Sequence, residues 1–451
     1  MNPNNLGIKK GEVLTGSSIL KNENLGTSRI DYFLEHMAEN KVIQWAEKET
    51  SDKTLLVDKY KKLYLSYRGN WRDQPRSCVA GKHSVDEMNK KEQAPLCIDI
   101  EVAAICDLAC PFCHRQYIAT PDKLIDNDLC YRLIDEAAEL GVPSIKFNLR
   151  GEPLLHPKLP QFIRYAKEKG ILETGINTNA TQLSPEYSRR LIESGLDILI
   201  FSFDGGRKET YETMRPGRFR ENTFEHVYSN ITGFSQIRKE MKSAFPFTKI
   251  QMILTKETYK EKADFFKLFD DFVDEISVTQ YQERGANLDV LNPVDRCLYQ
   301  ASIDSRSLSN KTPFRLDADG GFYISTKRSP CYQPFQRLTV TYEGRVGMCC
   351  IDWGATHTVG FVDKGAFENS DVYTTIKNRA TKGKKGYELL SDVVVEENTE
   401  NCGHTITSLK DIWYGNEIQN VRETQYRCQL DEIPICSKCS SPDTYRWERI
   451  R

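Results

Sequence analysis

The sequence predicts an α/β protein: a parallel sheet wrapped by helices, with a helical extension before it and a small cysteine-rich α+β region after it. Three observations carry this. Between residues 96 and 283, apolar strand-like runs alternate with stretches of helical period six times. Before residue 95 the patterns are polar and helical. After residue 331, cysteines recur at metal-ligand spacing.

In chain order, Ser28–Tyr67 reads as one or two polar helices, and Tyr67–Ser77 (YRGNWRDQPRS) as an Arg-rich loop. Leu96–Val102 (LCIDIEV) reads as the first strand of the sheet. A helix over Asp126–Leu140 follows, then the run Ser144–Asn148 and a helix over Leu159–Lys169 closed by Gly170. Glu173–Asn177 is the third strand, and Ser184-Pro185 opens the next helix with a cap and a first-turn proline. Ile198–Ser202 (ILIFS) is apolar throughout, as a strand buried in a parallel sheet would be. A helix over Thr223–Met241, the strand Lys249–Leu254, a helix through Phe272 and the strand Glu275–Gln280 complete the series. Residues 284–330 are rich in Asp and Ser and poor in apolar residues, and read as a linker or lid. Ser408–Glu423 has the pattern of one amphipathic helix. The expected units are therefore 1–95, 96–283, 284–330 and 331–451.

Composition narrows the function. The chain has 451 residues, with Lys+Arg 62 against Asp+Glu 64, so the net charge is −2. Nothing there points to nucleic acid or a membrane surface. No run approaches the roughly 18 apolar residues a membrane span needs, and MNPNNLGIKKGE has no signal-peptide core. Fourteen cysteines in a long chain without a signal suggest metal binding in a cytoplasmic enzyme rather than disulfides.

Cys106-x-x-x-Cys110-x-x-Cys113 sits on the loop after the first strand of the series. Three thiolates can hold three irons of a four-iron cluster and leave the last iron open, whereas a cluster used only for electron transfer has four cysteines. Zinc sites pair their ligands in two hooks, and no second hook lies nearby. His114 directly follows Cys113, so it reaches the same metal poorly and reads as a surface or substrate-facing residue.

This triplet, with Phe112 before its last cysteine, resembles the signature of the radical S-adenosylmethionine (SAM) superfamily. The resemblance implies a partial (β/α)6 barrel, since eight units would close a full one, with functional residues at the carboxyl ends of the strands. Arg150-Gly151-Glu152-Pro153 is similar to the superfamily's GGEP element, which holds the SAM amino group, with Arg at the first glycine. That departure puts one permissive backbone position in doubt. By the same resemblance Asn177 belongs to a ribose-side patch, Ser202 and Asp204 lie beside SAM, and Arg215 offers a two-point contact to its carboxylate.

Cys331-x12-Gly344-x4-Cys349 and the hook Cys436-x-x-Cys439 resemble the SPASM/Twitch extension of this superfamily. No cysteine follows Cys439, which implies one auxiliary four-iron cluster. Cys350 could replace Cys349, Cys402 and Cys428 are spare ligands, and a structural zinc competes for the site. Cys78, Cys97, Cys130 and Cys297 default to buried thiols.

The resemblance implies an enzyme that takes an electron from a flavodoxin or ferredoxin-type donor and cleaves SAM to a 5′-deoxyadenosyl radical, which abstracts hydrogen from a small molecule. The expected substrate is a sugar or cyclitol, oxidised or epimerised in antibiotic or surface-glycan assembly. A peptide maturase is the alternative, but such enzymes often carry a winged-helix module with a β-hairpin, and Ser28–Tyr67 reads helical. A zinc-stabilised binding protein without catalysis is a third reading.

Overall fold

The computed structural model describes residues 18–21, 28–46, 52–79, 93–117, 120–255, 257–280, 314–316, 322–328, 330–370, 407–437, 439 and 445–449. Thirteen strands fall among them: β1 (Ser18–Lys21), β2 (Cys97–Ile100), β3 (Ser144–Lys146), β4 (Glu173–Thr178), β5 (Ile198–Ser202), β6 (Phe247–Leu254), β7 (Glu275–Gln280), β8 (Phe314–Leu316), β9 (Phe322–Arg328), β10 (Arg337–Val340), β11 (Arg345–Gly347), β12 (Thr358–Phe361) and β13 (Tyr445–Arg449). Ten make one sheet, in the order β1-β7-β6-β5-β4-β3-β2-β10-β11-β12.

Strands β2 to β7 are parallel, and each pairs with its neighbour in sequence. Helices Asn127–Glu139, Leu159–Glu168, Pro185–Glu193, Phe224–Glu240 and Lys262–Phe269 connect them. Three of these five helices start at a side-chain cap: Asp126 on the amides of Asp128 and Leu129, Ser184 on Tyr187, Thr223 on His226. Strand β2 does not meet β7. It pairs with β10 instead, while β7 pairs with β1, so the barrel stays open. This is the partial barrel expected from six units.

A strand sends alternate side chains to opposite faces. Ile98, Ile145, Ile176, Leu199, Ile250 and Ile276 point outward and are fully buried under the helices. The intervening positions face the lumen and carry Asp99, Lys146, Asn177, Ser202, Gln251 and Ser277. Lys146, Asn177, Ser202 and Gln251 are only half-buried. ILIFS is thus apolar for its outward face, while Ile200 and Ser202 line the lumen.

The N-terminal helices Arg29–Glu35, Lys41–Ala46 and Lys53–Val79 close the amino ends of the strands. Phe33, Met37, Ile43, Tyr64 and Tyr67 share an apolar cluster with Leu96, Leu172, Ile198, Phe245 and Phe247, which lie at or just before strand starts. Glu173 is buried there and accepts hydrogen bonds from Tyr64 (3.2 Å) and Tyr67 (3.0 Å). The expected loop over Tyr67–Ser77 is instead the end of the long helix. The misleading residue is Pro75, which cannot donate to the carbonyl four residues back. That carbonyl, on Trp71, accepts from the Gln336 side chain at 2.6 Å, so the helix continues without an orphaned group.

In the C-terminal region, strands β10, β11 and β12 extend the barrel sheet. Ser408–Glu423 is not one helix but two, Leu409–Tyr414 and Asn416–Tyr426. Gly415 breaks it with extended backbone (φ −75°, ψ 164°), and a Cβ there would lie 2.6 Å from the Asp411 carbonyl oxygen. Within 284–330, β8 and β9 join β13 in a separate antiparallel sheet, and residues 281–313 lie outside the described residues.

One buried ion pair ties extension to barrel. Lys167 Nζ donates to Asp197 at 2.8 Å and to the Leu172 carbonyl at 2.9 Å. Asp197 also accepts from the Thr174 amide (2.7 Å) and from Asn40 of the extension (2.6 Å). Replacing Lys167 by Met strands that carboxylate, and should cost about 3–5 kcal/mol in urea unfolding.

Candidate active site

The loop after β2 brings the three cysteines together. Cys106, Cys110 and Cys113 pack in one small cluster with Leu108, Phe112, Met214 and Ile253. Burial pushes the Cys110 thiol up to about 12 and Cys106 higher still. Ligation needs thiolates, so metal binding there releases protons. The loop is fixed on two sides. Ala109 N–H donates to the Pro216 carbonyl and Arg218 N–H to the Asp107 carbonyl, each at 2.8 Å. The Asp107 carboxylate accepts from Asn179 (2.8 Å), Thr181 (2.6 Å) and Gln182 (2.8 Å) at the end of β4. Sequence reasoning missed this brace; its signal was an acid adjoining the first cysteine and a run of amides and hydroxyls after β4.

Gly151 presses backbone to backbone on the same loop. A Cβ there would sit 2.3 Å from the carbonyl oxygens of Ala103 and Ile105. The Glu152 amide donates to Ile105 at 2.8 Å. The Glu152 carboxylate accepts from Thr178 Oγ1 (2.7 Å) and the amides of Asn179 (2.7 Å) and Leu154 (3.0 Å). Burial outweighs these bonds and raises it to about 7.

Arg150, the departure from the glycine motif, is buried. Its Nε and Nη2 each donate to Glu101 at 2.6 Å. Glu101 also accepts the Tyr342 amide at 3.1 Å. The residue in doubt is therefore an anchor between the ends of β2 and β3 and the turn after β10.

Arg215 lies beside Cys110, with Nε and Nη2 donating to Asp204 at 2.8 and 2.5 Å. Asp204 also takes the Ile253 amide at 2.6 Å. Two of the guanidinium nitrogens thus already serve a carboxylate of this chain. Ser202 and Asn177 line the lumen on β5 and β4, and the Asn177 Oδ1 is buried without a hydrogen-bond partner among the described residues. His114, read as a surface or substrate-facing residue, is buried.

A second thiol site forms in the C-terminal region. Cys331, Cys349, Cys436 and Cys439 line one pocket. Gln425 spans it: its Oε1 accepts the Cys331 amide at 2.9 Å and its Nε2 donates to Cys436 Sγ at 3.4 Å. Arg328 Nη2 donates to the Cys436 carbonyl at 2.9 Å. Cys350 is not in the lining and its thiol faces Gln333. Cys428 is exposed, Cys97 and Cys130 are buried, and Cys297 and Cys402 lie outside the described residues, as does the side chain of Cys78. Among the described residues no three Cys, His, Asp or Glu side chains converge as the ligands of one ion. The four thiols instead ring a pocket, which suits a body wider than one ion.

Both sites fit iron–sulfur clusters: three thiols beside an open polar lumen, and four around one pocket. Gly151, Glu152, Asn177, Ser202, Asp204 and Arg215 would surround SAM at the first. When bound there, cluster and SAM supply a 5′-deoxyadenosyl radical by reductive cleavage.

The fold and the two thiol sites define an iron–sulfur enzyme on an open parallel barrel. The radical SAM superfamily matches residues 100–269, and the SPASM iron-sulfur cluster-binding domain matches 331–440. The chain belongs to the radical SAM superfamily and carries a SPASM domain, so it is an enzyme that uses SAM and binds an auxiliary four-iron cluster. It is similar to the tungsten-containing aldehyde ferredoxin oxidoreductase cofactor-modifying protein of Pyrococcus furiosus, 26% identical over 55% of this chain and 69% of that one. It is also similar to the AdoMet-dependent heme synthase of Methanosarcina barkeri (29%, covering 45% and 56%) and to a GTP 3′,8-cyclase of Chlorobaculum tepidum (34%, covering 29% and 38%). The chain thus spans little more than half of the second relative and well under half of the third. Among solved structures it resembles BtrN in complex with AdoMet and 2-DOIA (TM-score 0.41, 15% identical, 78% of this chain and 95% of that one). It also resembles Streptococcus suis SuiB bound to precursor peptide SuiA (TM-score 0.45, 16%, 82% and 72%). At these values neither structure bears on the substrate. Among the described residues no helix is long and apolar enough to cross a membrane.

Two outcomes follow. Gly151→Ala pushes the cluster loop away, and SAM cleavage, measured as 5′-deoxyadenosine release, should fall by about 100-fold or more. Cys436→Ala should lower iron from about eight to about four per chain, because each cubane holds four. Unchanged iron with lost zinc would mean a zinc site instead.

Proposed function

We propose that this enzyme abstracts a hydrogen atom from a hydrophilic small molecule, a sugar or cyclitol, during antibiotic or surface-glycan assembly. The product is an oxidised or epimerised substrate. A flavodoxin or ferredoxin-type protein is the electron donor, and the auxiliary cluster relays an electron from the substrate.

The observation that carries the reading is the two-faced sheet. Its outer face is apolar and sealed, whereas its lumen face offers Asp99, Lys146, Asn177, Ser202, Gln251 and Ser277. Ser277 Oγ is buried there without a hydrogen-bond partner among the described residues. Unmet polar atoms are costly to bury, and hydroxyl groups of a substrate would meet them. The N-terminal helices also weigh against a peptide substrate. They pack at the amino ends of the strands, away from the cysteine loop at the carboxyl ends, so they serve as a floor rather than a grip on a leader.

The test uses enzyme with both clusters, SAM and dithionite under anaerobic conditions. A panel of aminocyclitols and nucleotide sugars should contain a compound that raises 5′-deoxyadenosine release by roughly tenfold, a gain of about 1.4 kcal/mol in the barrier. That compound should lose two hydrogen atoms or change configuration by mass spectrometry and NMR. Stimulation by peptides alone would assign the chain to peptide maturation.

A further inference from the structure

We infer that Lys146, together with the space left beside it at Gly175, forms a subsite for an anionic group of the substrate, a carboxylate or a phosphate. The inference rests on the reading of the lumen as the seat of a hydrophilic substrate, and goes beyond it by naming the charge.

Position comes first. Lys146 is the last residue of β3 and faces the lumen between Asp99 of β2 and Gly175 of β4, its partners in register. Gly151 and Glu152 lie five and six residues further on, in the loop that touches the cysteine loop. Part of the residue's surface stays exposed, while its ammonium end is enclosed.

Charge comes second. The groups facing this ammonium are Asp99, Arg337, Cys97 and Cys350. Asp99, the one carboxylate among them, is already paired with Arg337 at 2.8 Å and accepts from the Cys97 thiol. The Lys146 ammonium makes no side-chain hydrogen bond or ion pair among the described residues. The local sum is one carboxylate against two cations, and enclosure lowers the lysine's proton affinity. An enclosed cation without a matched anion is unfavourable unless something else supplies the anion.

Shape comes third. A Cβ at Gly175 would meet only Ile198, its Cβ at 3.6 Å and its carbonyl oxygen at 3.8 Å, both ordinary contacts, so the sheet does not require glycine there. Its absence of a side chain leaves space beside the Lys146 stem. Lys146 would place its ammonium against an anion held in that space.

The test measures binding of glucose, glucuronate and glucose 6-phosphate to the SAM-loaded enzyme with both clusters, by calorimetry. At least one anionic probe should bind about tenfold or more tightly than glucose. Which one does so separates a carboxylate from a phosphate. Lys146→Met should abolish the preference and Lys146→Arg should keep it. If Lys146→Met does not retain its iron, Gly175→Leu, which fills the space, should remove the preference instead. A preference that survives either substitution overturns the subsite. Equal binding of all three probes also overturns it, but leaves a hydrophilic substrate in place. Binding of none of them, with peptides bound, removes both readings.

Discussion

Glu101 stands where three segments must meet. Its carboxylate holds both Nε and Nη2 of Arg150, accepts the Arg150 amide, and accepts the amide of Tyr342. One buried acid thus joins the start of the cysteine loop, the motif after β3, and the hairpin of the SPASM region. A buried pair is worth having only when its remaining lone pairs are satisfied, and here they are. A glycine at position 150, the usual residue of the motif, could offer the backbone amide but not the fork. In this chain the SAM-side loops and the auxiliary-cluster region are therefore fastened to one another by a side chain. The pairing of β10 with β2 adds a second fastening, so one continuous sheet underlies both thiol sites.

Much of this was legible in the sequence because the signals were local. Six strands and their helices showed in periodicity and caps such as Asp126, Ser184 and Thr223. The cysteine spacings needed no structure to suggest two sites, and the pocket holds the four C-terminal thiols named from spacing, with Cys349 rather than Cys350 in its lining. What was not legible depends on distant partners. Arg150 looked like a flaw in a motif because Glu101 lies 49 residues away. Tyr67–Ser77 was read as a loop, and Gln336, which takes the carbonyl that Pro75 leaves free, lies 265 residues from Trp71. Asp204 and Arg215 were read as two separate ligand contacts, yet they bond each other. Gly415 was the reverse case: a local breaker present in the sequence and outvoted by the amphipathic pattern around it.

The lumen shows how one strand can serve two purposes. The outward side chains supply the apolar burial that holds the sheet to its helices. That frees the inward ones from any duty to the core, so charged and amide groups can stand there. Their spacing follows the pleat, and their height follows the strand register. The chemistry of the cavity is thus adjustable without rebuilding the fold.

The open barrel has a consequence for solubility. A sheet that fails to close leaves two rows of unpaired amides and carbonyls, each a template on which another chain can add. Here β1 runs antiparallel along β7, and β10 to β12 continue beyond β2. The parallel strands of the barrel are therefore interior strands, and among the described residues the sheet ends in two strands of four residues, Ser18–Lys21 and Thr358–Phe361. Short borders give a foreign strand little register to lock onto. The extension and the SPASM region so act as selvedges, hemming a sheet that would otherwise unravel into its neighbours.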